Sequence, residues 1–403
     1  MANEDSLAMA ACDAEHVPEL VEKIAVLGRS ATSVNGNDRS RLLEAARSLV
    51  RALETPRETI IRLGWAETTL YACIDTGIKI GLFGQLSNAN TLRELATLTG
   101  TEESLLNRIL KHLSAMGIVR EIGPDRYEHT NLSRSLAHPK YADGFPCIAN
   151  GVTPAIYKLP EYLARTGYRN PVNAIDGPFQ YAFKTDKHWF AWANENEPVL
   201  TQFNNHMGCY HQGRPSWMDP DFYPVQERLI QGAKSGSDTV FLVDVGGSLG
   251  HDIEEFHRKH PSPPGRLVLQ DLPSVIEQAR QTLDPAIEPV PHDFFNEQPI
   301  QGARAYYLHS VLHDWPDADS RRILDQLTKA MAPGYSRLLI NENVIPDVGA
   351  NWQVTGQDLM MMTMVSSQER KEREWRLLLQ SAGLMVVKIW RHPNGIESLI
   401  ECE

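Results

Sequence analysis

The chain has 403 residues, 42% of them hydrophobic, and a formal net charge of −12. That length suffices for two or three domains with real cores, and the composition is that of a soluble globular protein. An acidic balance speaks against a nucleic-acid binder, which is expected to present a basic surface.

The start, MANEDSLAMAACDAEHVPEL, lacks a basic and apolar signal. No later run approaches the length that crosses a bilayer, so a cytoplasmic protein without a membrane partner is expected. Cys12, Cys73, Cys147, Cys209 and Cys402 show neither pairing nor metal spacing, which makes reduced thiols the default. Residues 1 to about 17 read as frayed. Helical periodicity begins near Val17, breaks at SVNGNDRS, and resumes in RLLEAARSLVRALETP until Pro56. TTLYACIDTGIKIGLFGQL is apolar on most faces and reads as a buried helix.

Residues 91–137 have their own grammar. TLRELATLTG predicts a short helix closed by Gly100. TEESLLNRILKHLSAMG begins with a capping-box pattern, Thr101 with Ser104, and ends at Gly117. IVREIGPDRYEHT predicts two strands around a Gly-Pro-Asp turn. Helix, helix, hairpin is the order of a winged helix. Its six basic and six acidic residues cancel, so the wing reads as structural rather than as a DNA reader.

Residues 150–235 are rich in aromatics and helical in pattern. They make either plain core or the wall of a pocket for a flat ligand. From Thr239 onward strands and helices alternate, as TVFLVDVGG, DIEEFHRKHP, RLVLQDLP, SVIEQARQTL, ARAYYLH, DADSRRILDQLTKAMAP, SRLLINENVIP, EREWRLLLQSAG, MVVKIWR and ESLIECE. Alternation with buried strands predicts an α/β fold with a parallel, doubly wound sheet. The domains are read as 1–150, mainly helical with the winged helix, and 151–403.

Three strand ends carry chemistry. VDVGGSLGHD places Gly246, Gly247 and Gly250 between a strand and a helix, where a backbone approaches a ligand closely. The next strand ends in Asp271, suited to accept hydrogen bonds from a ribose. HDFF follows, with Asp293 and Phe294 suited to an adenine amine and face. Each acid alone reads as a helix cap; the ordered set reads as a nucleoside site at the carboxyl edge of the sheet. Then comes YYLHSVLHDWPD. Pro316 and an adjacent acid suit a helix start, but that does not explain His313.

The series VDVGG, LQDLP, HDFF, LHDWPD and QER resembles the plant and fungal S-adenosylmethionine-dependent O-methyltransferases of the caffeic acid and flavonoid type, over nearly the whole chain. The resemblance implies a Rossmann-like methyltransferase domain behind an N-terminal winged-helix dimerisation domain, and a homodimer. It implies S-adenosylmethionine at Gly246, Gly247, Asp271, Leu272, Asp293, Phe294, His309 and Trp315, and no metal. His313 is then the general base beside Asp314, with Glu342 and Glu369 flanking it and holding its tautomer. Met207 and Met361 match positions that contact an aromatic acceptor, and Phe183 and Trp192 join them by neighbourhood; a methionine stripe reads equally as core. A phenol has a pKa near 10, so a histidine that takes its proton removes much of the barrier to attack.

Three positions depart from the family pattern. Ser248 stands for a third glycine, His309 for a long cation, and His211 for a serine. FQYAFKTD and GRPSW look fungal, which suggests a polyketide-like small molecule as acceptor. Two other functions stay open: a pericyclase or dehydratase of the same fold that binds S-adenosylmethionine without methyl transfer, and a winged-helix regulator. A metal on His309 and His313 lacks a third ligand at zinc spacing.

Overall fold

Valine- and leucine-rich runs bounded by glycine, proline and acids become the strands of this chain. The structure is a computed structural model that describes residues 2–30, 36–210, 212–393 and 395–403. It divides into two compact units, one of residues 1–147 with 202–209, the other of 148–201 with 210–403.

In the first unit, helices Leu92–Thr99 and Glu103–Ala115 precede a hairpin of β1 (Val119–Gly123) and β2 (Arg126–His129). Thr91 bridges Arg126 across the hairpin's edge. Leu95, Leu106, Leu110, Leu113 and Tyr127 are buried together beneath it. Lys111 is ion-paired with Glu121, and Arg120 meets Glu128 at 2.7 Å, so the wing neutralises its own cations.

Four expectations change here. Residues Ala2–Met9 form a helix where fraying was expected, because alanine, glutamate, leucine and methionine all favour it. The break at SVNGNDRS is shorter, since a helix runs from Gly36 to Leu53 and residues 31–35 lie outside the described residues. Thr101 does not cap the helix that begins at Glu103; Glu102 holds that position without a side-chain bond. Ser104 Oγ donates to the Glu102 carboxylate at 2.5 Å instead of reaching back to Thr101. Capping boxes form at Thr55 with Glu58 and Thr91 with Glu94, where glutamate stands three residues on. Finally, the apolar stretch from Thr68 is no single buried helix. Gly81 at φ 69° divides it, and helix Thr68–Lys79 buries only Ile74, Asp75 and Gly77 within one chain.

The second unit holds the large sheet. β3 (Val240–Val245), β4 (Arg266–Asp271), β5 (Ile287–Pro291), β6 (Ala305–His309) and β7 (Arg337–Ile345) are parallel in the order β5-β4-β3-β6-β7. β8 (Arg370–Lys371) pairs parallel with the end of β7. The closing strands β9 (Val386–Arg391) and β10 (Glu397–Cys402) are antiparallel, so the parallel sheet predicted from the alternation has an antiparallel edge. Side chains alternate across it. Tyr306 faces a core with Ile323, Leu324 and Trp375; Tyr307 faces the opposite core with Trp217, Ile253 and Phe256. Helices on both faces make the fold doubly wound. The strand order reverses between β3 and β6, which opens a crevice at their carboxyl ends. The glycine turn after β3 and the His313 turn after β6 therefore lie at one switch point.

Candidate active site

After β3 the chain turns through Gly246 at φ 74°. A side chain on Gly247 would sit 2.5 Å from the Asp244 carboxyl and 2.6 Å from Leu269, so only glycine fits over that packed strand. Ser248 adopts φ 52° in the position of the third glycine. Asp271, at the end of β4, ties this turn down: its carboxylate accepts the Ser248 N–H at 2.8 Å and the Leu272 N–H at 2.7 Å. Burial raises its pKa. Asp293 closes its own turn by accepting the Phe295 N–H at 3.0 Å. Phe294 flanks Gly246, with ring atoms 3.5 Å from where a Cβ would stand. Leu272 is exposed beside Asp271.

Trp315 forms the next wall. Its ring meets Phe295 edge-on at 4.7 Å and Phe294 at 6.0 Å, and stacks flat on His188 at 4.6 Å and 8°. Burial lowers the His188 pKa to about 4, so that imidazole is neutral. His188 was not legible in sequence; it lies in a helical, aromatic stretch with no motif.

His309 replaces a long cation without removing its charge. Nδ1 lies 2.5 Å from Asp252 and Nε2 lies 3.4 Å from Glu397. Burial lowers its pKa, but the two acids outweigh that and hold it well above the usual histidine range. Tyr307 donates to Asp252 at 2.9 Å, and Arg214 is ion-paired with Glu397. His211 lies outside the described residues.

His313 sits on the short 3-10 turn Leu312–Asp314, buried. Its Nδ1–H donates to Glu369 Oε1 at 2.8 Å. Glu342 takes a different part from the one expected. Its Oε2 lies 3.7 Å from Nδ1, too far to hold the tautomer. Its Oε1 instead accepts the N–H groups of Val311, Leu312 and His313 at 3.0, 2.8 and 3.3 Å. Three successive amides form an anion nest, and the acid fixes the turn. Nε2 of His313 makes no hydrogen bond among the described residues; Asp314 lies 3.6 Å from it. Burial lowers the His313 pKa, and Glu342, Glu369 and Asp314 together overcome that and raise it to about 10. Burial likewise raises Asp314 to about 6 and Glu342 to about 7, against the pull of His313.

The fold supplies third donors that the histidine spacing did not show. Donor atoms of His313, Glu342 and Glu369 all lie within 4.8 Å of one another. Nδ1 is answered by Glu369 Oε1 and Glu342 Oε1 by three amides, while Oε2 of each acid has no hydrogen-bond partner among the described residues.

Among the expected acceptor residues, Phe183 and Trp192 pack edge-on at 4.8 Å beside Phe179. Met361 is half-buried on helix Trp352–Val365. It is one turn beyond Gln357, whose Nε2 is 3.5 Å from His313 Nδ1, so both share the face toward the histidine. Met207, half-buried, belongs to the other unit.

A glycine turn, acids on successive strand ends and a carboxylate-held histidine at a switch point define a nucleoside-cofactor enzyme of the doubly wound class. The O-methyltransferase domain model matches residues 225–385. O-methyltransferase mpaG of Penicillium brevicompactum is 36% identical over 389 residues, 95% of this chain and 98% of that protein. "A Pericyclic Reaction enzyme" and LepI in complex with SAM each align at TM-score 0.86 and 30% identity, over 96% of this chain and 98% of theirs. OxaC in complex with SAH and oxaline aligns at 0.84 and 28%, over the same shares. The chain belongs to the S-adenosylmethionine-dependent O-methyltransferase family. The residues fit that cofactor: the glycine turn after β3 and the Asp271 carboxyl at the end of β4 stand together at the crevice, joined through the Ser248 N–H.

Proposed function

We propose that the chain methylates a phenolic or enolic hydroxyl of a polyketide-like small molecule, with His313 as general base. The observation that carries this reading is the His313–Glu369 pair, which keeps one proton on Nδ1, so that Nε2, once it has given up its own, is the atom that takes the acceptor's proton. Asp271 holds the ribose, Asp293 and Phe294 the adenine, with Gly246, Gly247, Leu272 and Trp315 around them. His309 keeps a positive charge at the same edge, and Met361, Phe183 and Trp192 contact the acceptor. S-adenosylmethionine, when bound, supplies an activated methyl group on a sulfonium. The residues' work is to orient the hydroxyl and remove its proton.

The similarity to a pericyclic reaction enzyme supports a second reading, in which the bound sulfonium acts as a fixed charge. The test is the amount of S-adenosylhomocysteine formed per product molecule. A ratio near one is expected. Product at a ratio near zero would replace methylation with cyclisation and leave the cofactor site standing. Asp271→Ala serves as the control, with S-adenosylmethionine affinity weakened by about 1–3 kcal/mol in calorimetry.

We also propose a homodimer through the N-terminal unit. Ile60, Leu63 and Trp65 are 69%, 52% and 70% exposed in one chain, a patch of the kind a second copy covers. Light scattering at micromolar concentration is expected to give twice 45.3 kDa; a species of one chain mass counts against it.

A further inference from the structure

Arg370 stands outside every role assigned so far, and its surroundings are unusual for an arginine. It is fully buried, yet its carboxylate partner among the described residues, Asp317, has a side chain 61% exposed. The remaining donors go to backbone and hydroxyl groups around one turn. Nη1 donates to the Leu312 carbonyl at 2.9 Å. Nη2 donates to the Trp315 carbonyl at 2.9 Å and reaches Ser320 Oγ at 3.3 Å. Nε donates to Asp317 Oδ1 at 2.9 Å, and the guanidinium lies 5.1 Å from the centre of the Trp375 ring. Ser320 Oγ is within reach of the same two carbonyls, at 3.1 and 2.9 Å.

These contacts bracket His313. Leu312 precedes it and Trp315 closes the turn that carries it. From the other side, Glu342 accepts the N–H groups of residues 311–313. One turn is thus held by its amides through an anion on β7 and by its carbonyls through a cation on β8. The two strands are adjacent, with Arg370 paired to Val344, two residues beyond Glu342. Glu369, which orients the imidazole ring, is Arg370's immediate neighbour in the chain. Backbone and ring of His313 are therefore referred to the same two strand ends.

We infer that Arg370 is a positioning residue for proton transfer: its guanidinium fork fixes the carbonyls of Leu312 and Trp315 and so aims Nε2 of His313. Charge alone does not achieve this. A planar fork spans two carbonyls and a hydroxyl together, whereas an ammonium is a point donor. Loosening the turn displaces the base, and a misplacement of about 1 Å costs on the order of 100-fold in rate. The inference rests on the reading of His313 as the base.

The test is Arg370→Lys in the full-length protein. S-adenosylmethionine affinity by calorimetry and the KM for the acceptor are expected to stay near wild type. The kcat at neutral pH is expected to fall on the order of 100-fold. The deficit should shrink as pH rises past the acceptor's own pKa, because the acceptor is then already ionised and needs no aimed base. A merely structural arginine would lower the folded fraction and leave the pH profile of the folded enzyme unmoved; that result, or an unchanged kcat, overturns the inference. Should Arg370→Lys fail to fold, Asp317→Ala removes the acceptor that holds the same guanidinium from its exposed side. A smaller kcat loss with the same alkaline recovery is then expected, and no loss overturns the inference. His313→Ala separates the two proposals. Loss in His313→Ala without loss in Arg370→Lys removes only the positioning role, and loss in neither removes the base.

Discussion

His313→Ala is expected to keep S-adenosylmethionine binding and to lose on the order of 100- to 10,000-fold in kcat, the usual worth of a positioned base. The size of the loss depends on pH. In the intact protein three carboxylates overcome burial and hold the imidazole protonated up to about 10. The base form therefore accumulates across the alkaline range, and wild-type turnover is expected to climb with it. The variant has no base and depends on the acceptor's own ionisation, near pH 10 for a phenol. The two profiles converge at high pH. Because both groups ionise near 10, the two profiles climb in parallel up to that pH and close only above it; a loss that persists undiminished well above pH 10 would sink the general-base assignment.

The same proton stabilises the fold, and the sign follows from linkage. The His313 pKa is raised from 6.5 to about 10 on folding. Its contribution is fully present below 6.5 and is lost as pH rises through 10, a matter of a few kcal/mol. Denaturant unfolding over that range is expected to show wild type losing stability more steeply than His313→Ala.

Much of this site was legible in sequence because it is built at strand ends. Apolar runs that stop at Val245, Asp271 and His309 fix where the crevice lies, and the residues after them inherit their place from topology. His313 beside Glu369 was readable only through the resemblance, since 56 residues separate them. Arg370 was missed for a physical reason: an arginine next to a glutamate reads as a solvated pair. Its burial depends on β8 docking beside β7, a non-local event. Asp252 and Glu397 were hidden likewise, one in the first turn of a helix and the other on the antiparallel edge. What local pattern misread was burial and capping. The stretch from Thr68 looks buried on most faces, yet much of it stays part-exposed in one chain.

Glu342 shows why the role of a flanking acid needs geometry, and two substitutions separate its functions. Its side chain is 1% exposed and anchors three amides of the catalytic turn. Glu342→Ala leaves those N–H groups and the His313 cation without their acid, which is expected to cost on the order of 3–5 kcal/mol of stability. Glu342→Gln keeps an acceptor oxygen where Oε1 stands, so its unfolding midpoint should remain close to wild type. It removes a charge, however, and that charge leads the carboxylates that raise His313. The His313 pKa is then expected to fall, and the alkaline climb of kcat to begin at lower pH. The glutamine also removes a liability. The Glu342 carboxyl is raised from 4.5 to about 7 by burial, so its ionisation opposes folding progressively from pH 4.5 to 7. Above pH 7 the glutamine variant avoids that cost, which offsets what it loses in attraction to His313. Equal stability losses in the two variants would show that the charge, not the amide nest, is what the turn requires. A Glu342→Gln pH profile that superimposes on wild type would show that this acid does not set the basicity of His313, leaving Glu369 and Asp314 to do so.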